Sequence, residues 1–142
     1  MRVLRWALLL PAAIGVWYAV FFVGLFGHFF IERHFCPPED LVSRFCTNES
    51  IQQVLDVLMH LSVAASAIAV VLVATAMAPS YKEFTVWATL AAGIVVSGII
   101  GFSAHAWLLF LAAVLGGVLG ATVIVIFLRV QAANHSLQAR RP

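Results

Sequence analysis

Charged residues fall in a few short clusters along this chain, and long stretches between them carry none. Trp6 to Ile31 holds no Asp, Glu, Lys or Arg over 26 residues, and Leu61–Ala78, Phe84–Phe102 and Ala106–Leu128 are likewise free of charge. A helix rises about 1.5 Å per residue and the hydrocarbon layer of a bilayer is about 30 Å thick, so about 20 apolar residues cross it. The pattern predicts four crossing helices, at about 6–31, 54–78, 84–102 and 106–128. Pro79-Ser80-Tyr81-Lys82-Glu83 and Ser103-Ala104-His105 are the short turns between the later ones, the proline fitting just past a helix end because it lacks the amide hydrogen that continues a helix. Connections this short oblige neighbouring helices to lie antiparallel. The fold class expected is therefore an all-α integral membrane protein, a four-transmembrane-helix antiparallel bundle forming one domain over 1–142. Its one longer loop is 32–53, and its polar tail, 129–142, is expected to be partly disordered.

Composition agrees with the pattern and removes alternatives. Hydrophobic residues make up 63% of the chain, charged residues 10%, and the mean hydropathy is +1.05, far from the roughly 25% charge of a soluble domain. The net charge of +2 is too small and dispersed for a nucleic-acid surface. The first span follows Arg2 and Arg5 as a secretion signal would, but such signals have an apolar run of only about 7–15 residues. Here it continues through Trp17, Tyr18, Phe21, Phe22, Phe26, Phe29 and Phe30, so a retained helix is expected.

Charge also sets the expected orientation. With both termini cytoplasmic, the inner side holds six basic residues (Arg2, Arg5, Lys82, Arg129, Arg140, Arg141) and the outer side two, Arg33 and Arg44. Trp6, Tyr81 and Trp87 then mark the inner boundary and Trp107 the outer one. Cys36 and Cys46 both fall in the outer loop, with nine residues between them. In an oxidising compartment that spacing points to a disulfide, worth on the order of 2–3 kcal/mol by chain entropy. The expected setting is a bacterial inner membrane with the 32–53 loop external. Asn48-Glu49-Ser50 matches the glycosylation pattern, but the match is short and common, so no role follows from it.

Small residues recur at helical spacing in the later spans. Gly93, Ser97 and Gly101 form one stripe and Gly116 and Gly120 another, beside Ala113, Gly117 and Ala121. Such stripes allow close backbone approach where lipid gives no hydrophobic drive to association. They predict the third and fourth helices as the tightest hairpin.

Candidate chemistry gathers toward the outer side. His28, Asp56, His60 and His105 lie near that boundary, with Glu32 and His34 close by, and Asp56 and His60 share a helix face. Imidazole and carboxylate groups that converge can hold zinc or copper, or relay protons. Ordinary interfacial polarity explains the same residues more simply, with Asp56 favoured near a positive helix N-terminus. Haem would need His28 and His60 as its axial pair, close to the surface, and no cofactor is implied. No span carries a mid-membrane carboxylate to couple a proton-driven pump, no Cys-x-x-Cys pair serves disulfide exchange, and no nucleophile constellation or phosphate loop appears. An enzyme is not expected. The leading expectation is a non-catalytic accessory or scaffold subunit, partnered by the lipid bilayer and by another membrane protein or a second copy. The alternative is a small transporter or metal-handling protein using the outer histidines.

Overall fold

The structure, a computed structural model, describes residues 2–42 and 45–138, with side chains described for 6–42 and 45–134. It is all-helical apart from one small ladder. Helices α1 (Arg2–Phe35), α2 (Glu49–Met77), α3 (Lys82–Ser103) and α4 (Trp107–Gln138) are each long and apolar enough to cross a membrane. Between α1 and α2 lie a single 3₁₀ turn (Pro38–Asp40) and a two-residue ladder pairing β1 (Leu41–Val42) with β2 (Phe45–Cys46). Of the basic residues in the orientation argument, Arg44, Arg140 and Arg141 lie outside the described residues.

Helix ends differ from the sequence pattern, α1 running Arg2–Phe35 against 6–31 and so taking in Glu32, and the reason is shared. Helix α2 begins at Glu49, and α4 runs on to Gln138 instead of ending at Leu128 in an irregular tail. Loss of hydropathy marks where the apolar stretch ends, not where the helix stops. Arg129, Gln131, Ala132 and Ala133 are ordinary helix formers in water, and the turn at Asn48 starts α2 well before its apolar stretch. There the Asn48 carboxamide oxygen accepts from the amides of Ser50 and Ile51, a side-chain N-cap, with Glu49 in the positive first turn.

Helix α2 is the hub, packed against α1, α3 and α4. Val71 of α2 meets Val86 and Leu90 of α3 and Ala121, Ile124 and Val125 of α4 in an apolar core. The closest backbone approach joins α2 to α4, not α3 to α4. A Cβ on Gly116 would stand 2.5 Å from the Ala64 carbonyl oxygen, and one on Gly120 would stand 3.2 Å from Ile68 Cα. The α3–α4 contact is looser in kind: Gly101 meets the Phe110 side chain, while the Cβ position of Gly93 has nothing within 4 Å. Helix α1 lies chiefly along α2, where Gly24 abuts Ser62 and Gly27 faces Leu58. Hydroxyls inside the spans are turned back on their own helices: Ser62 donates to the Leu58 carbonyl, Ser66 to Val63, Thr75 to Val71 and Ser97 to Ile94.

Candidate functional site

The loop-side end of α1 is where polar chemistry is organised. The chain leaves α1 through Cys36, makes its turn, and returns through Cys46, whose sulfur is bonded to that of Cys36 with the Cα atoms 5.8 Å apart. Cys46 is 1% exposed, so its peptide groups need partners within the protein. Glu32, itself 7% exposed, supplies one by accepting from the Cys46 amide at 3.1 Å; Gln52 of α2 supplies the other by donating to the Cys46 carbonyl. One residue of the returning loop is thus held by α1 and α2 together, across a covalent bond and two side-chain hydrogen bonds. The rest of the turn is fixed through Asp40. Its backbone oxygen accepts from the Thr47 amide and hydroxyl, and its carboxylate accepts from the Asn48 carboxamide at 2.8 Å. Asn48 is therefore occupied on both sides of its amide, as helix cap and as tether.

Each residue singled out as part of a metal or proton site has its own local setting. His28 Nδ1 stands 3.8 Å from Glu32 Oε2, an ion-pair distance that matters only when the imidazole is charged. His60 Nδ1 donates to the Asp56 backbone oxygen at 2.6 Å, while the Asp56 side chain is exposed. His105 sits exposed in the α3–α4 turn with φ 53°, the left-handed region that an L-residue enters at a cost. His34 is spent on the Phe30 carbonyl and stacks on the Phe30 ring. Among the described residues no three His, Cys, Asp or Glu side chains come together as a metal-holding group. Glu32, placed by the sequence pattern merely in the loop nearby, is the residue with a defined structural task. Its signal was the His28–Glu32 spacing of four at the apolar end of a helix.

A second feature of α1 is the aromatic run that the sequence already showed, now seen as a surface. Trp17, Tyr18, Phe21 and Phe22 form a continuous aromatic ridge, with ring centroids from 4.8 to 6.4 Å apart. All four are exposed. Trp17 and Tyr18 lie at the middle of the charge-free Trp6–Ile31 stretch, and neither the indole N–H nor the phenol O–H has a hydrogen-bond partner among the described residues. Counted as hydrophobic residues, they look like any others in the run; their polar tips are what set them apart.

No protein-family model, no curated protein and no solved structure matches this chain.

Proposed function

We propose that this chain is a non-catalytic accessory or scaffold subunit of a membrane assembly, docking another membrane protein through the aromatic ridge of α1. In this reading the four helices cross the bilayer as an antiparallel bundle, with both termini cytoplasmic and the Cys36–Cys46 loop on the outer face of a bacterial inner membrane. The orientation rests on the six-to-two bias of basic residues.

The carrying observation is the pair Trp17 and Tyr18, exposed at mid-span with free donors. Trp and Tyr gather at membrane interfaces because water or headgroups can satisfy their polar tips. At the bilayer centre lipid offers no acceptor, and an unmade hydrogen bond there costs several kcal/mol in hydrocarbon. A neighbouring helix with an accepting oxygen at that depth removes the cost, and such interhelical bonds are worth about 1–2 kcal/mol in model peptides. The aromatic block around the two donors adds contact area suited to helix packing.

The experiment is capture of C-terminally tagged protein from native membranes in mild detergent, with mass spectrometry of what accompanies it. One membrane protein at near-equal amount is the expected result, with about tenfold less of it on Trp17→Leu, Tyr18→Phe, the equivalent of about 1.4 kcal/mol. Recovery of this chain alone, unchanged by the double variant, overturns the proposal and returns the weight to an autonomous transporter using His28, Asp56, His60 and His105.

A further inference from the structure

We infer that the loop-side end of α1 carries a seat for one phospholipid of the bilayer, with its acyl chain in the groove of Phe26, Gly27, Phe29 and Phe30 and its phosphate on Arg33. The inference rests on the membrane-embedded reading of α1; it needs neither the proposed orientation nor a partner protein.

The groove has a volume of about 510 Å³ and is lined by those four residues with Arg33 and His34. The exposed Phe26, Phe29 and Phe30 rings make its walls, and Gly27, packed toward Leu58 of α2, lines its edge. Positions 26, 29, 30, 33 and 34 follow the helical repeat, so they share one face. Glu32 and His28 point a different way, toward the Cys46 peptide and its loop. The end of α1 thus separates its charges: the carboxylate is used inside the fold, and the guanidinium is left on the groove side. Arg33 makes no hydrogen bond or ion pair among the described residues.

Chemistry along the groove is graded. From Phe26 to Arg33 is seven residues, about 10 Å along the axis, and the apolar stretch ends at Ile31, so Arg33 lies at headgroup level while the rings reach into the acyl layer. The groove is open, not enclosed, and within hydrocarbon its filling comes from the layer around it. A phospholipid presents both required parts in one molecule: an acidic oxygen pair that a guanidinium grips bidentately, and a chain that lies between rings. His34, held by its bond to the Phe30 carbonyl, stiffens the rim beside Arg33.

The test uses the full chain extracted in mild detergent, with lipid counted by native mass spectrometry before and after titration with phosphatidylglycerol. Diacylglycerol of the same chains and inorganic phosphate serve as the two half-ligands. The expected result is one phospholipid per chain, bound about tenfold more weakly by Arg33→Gln and also weakened by Phe30→Ala, with Lys82→Gln unchanged and neither half-ligand competing. Equal binding by Arg33→Gln, or diacylglycerol binding as well as phosphatidylglycerol, overturns the seat. So does a lipid count of zero in the wild type. Alkaline carbonate washing of the membranes keeps the two readings apart: a chain that stays in the pellet yet holds no lipid loses only the seat, whereas a chain that washes out loses its membrane reading as well.

Discussion

Helix α2 receives a glycine from each of two neighbours, and the two seats are built differently. At the α4 seat, Gly116 stands against main chain: Ala64 oxygen, Cα and carbonyl carbon would lie 2.5, 2.7 and 2.9 Å from an added Cβ. At the α1 seat, Gly24 stands against a side chain, with Ser62 Oγ and Cβ at 2.5 and 2.7 Å. Backbone inside a hydrogen-bonded helix has nowhere to go, whereas a side chain can be shortened. The α4 seat also continues into the core of Val71, Val86, Leu90 and Ala121, while α1 adds only α2 as its main neighbour. The difference separates a bundle of α2, α3 and α4 from an attached helix α1. The loop clasp of Cys36, Cys46, Glu32 and Gln52 adds a second attachment for that helix beyond its packing along α2.

The largest effect is expected where no side chain can yield. Gly116→Ala forces α2 and α4 apart and is expected to cost about 3 kcal/mol, at the upper end for an overpacked interior. The measurement is thermal unfolding in detergent. Ala64→Gly is expected to give no rescue, because the blocking atoms are main chain. A double variant as stable as wild type would break the contrast between the two seats.

Next comes the clasp. Glu32→Ala leaves the buried Cys46 amide without its acceptor, a loss of about 1–3 kcal/mol, whereas Glu32→Gln keeps an accepting oxygen and is expected to recover most of it. Alkylation of Cys36 and Cys46 without reductant is expected to be negligible in wild type. After reduction the pair is expected to label faster in Glu32→Ala than in wild type. Equal rates would mean that Glu32 does not hold the loop against α1.

At the α1 seat itself, Gly24→Ala is expected to cost about 1–2 kcal/mol, and here a rescue exists. Ser62→Gly removes both crowding atoms, so the double variant should lie close to the sum of two helix-glycine effects with the clash gone. The coupling energy is read from a double-mutant cycle. An absence of coupling would place α1 elsewhere on α2.

Much of this architecture was open to a reader of the sequence, but unevenly. The four long apolar helices follow from charge-free stretches, each long enough to cross a membrane by length and composition. The Cys36–Cys46 pair followed from spacing in a short loop. The ends of α2 and α4 did not, since Asn48 and the segment after Arg129 satisfy helix rules that hydropathy ignores. Gly116 and Gly120 were recognisable as a close-packing stripe, but periodicity identifies a face and not the neighbour that fills it. Assignment to α3 was the natural expectation from adjacency in the chain, and the structure puts α2 there. Glu32 was opaque for a related reason: its partner, the Cys46 amide, lies fourteen residues on and reaches it only after the loop turns back. His28, Asp56, His60 and His105 were grouped by depth along the sequence, and among the described residues no three His, Cys, Asp or Glu side chains form a metal-holding group.

The smallest prediction turns on the stripe of α3. Gly93 and Gly101 are two helical turns apart on one face, and spacing alone treats them as equals. Their surroundings differ. A Cβ at Gly101 would meet Phe110 Cβ at 2.9 Å, whereas at Gly93 it would meet open space. Gly101→Ala is therefore expected to destabilise. Gly93→Ala is expected to stabilise by about 0.5–1 kcal/mol, the helix-interior preference for alanine over glycine. The two are compared by thermal unfolding of the isolated chain. If Gly93→Ala were as costly as Gly101→Ala, a helix from a second copy of the chain would have to pack there, since the described residues leave that position open. If it is neutral or better, the stripe is used only at its Gly101 end, and the open face of α3 requires no protein against it.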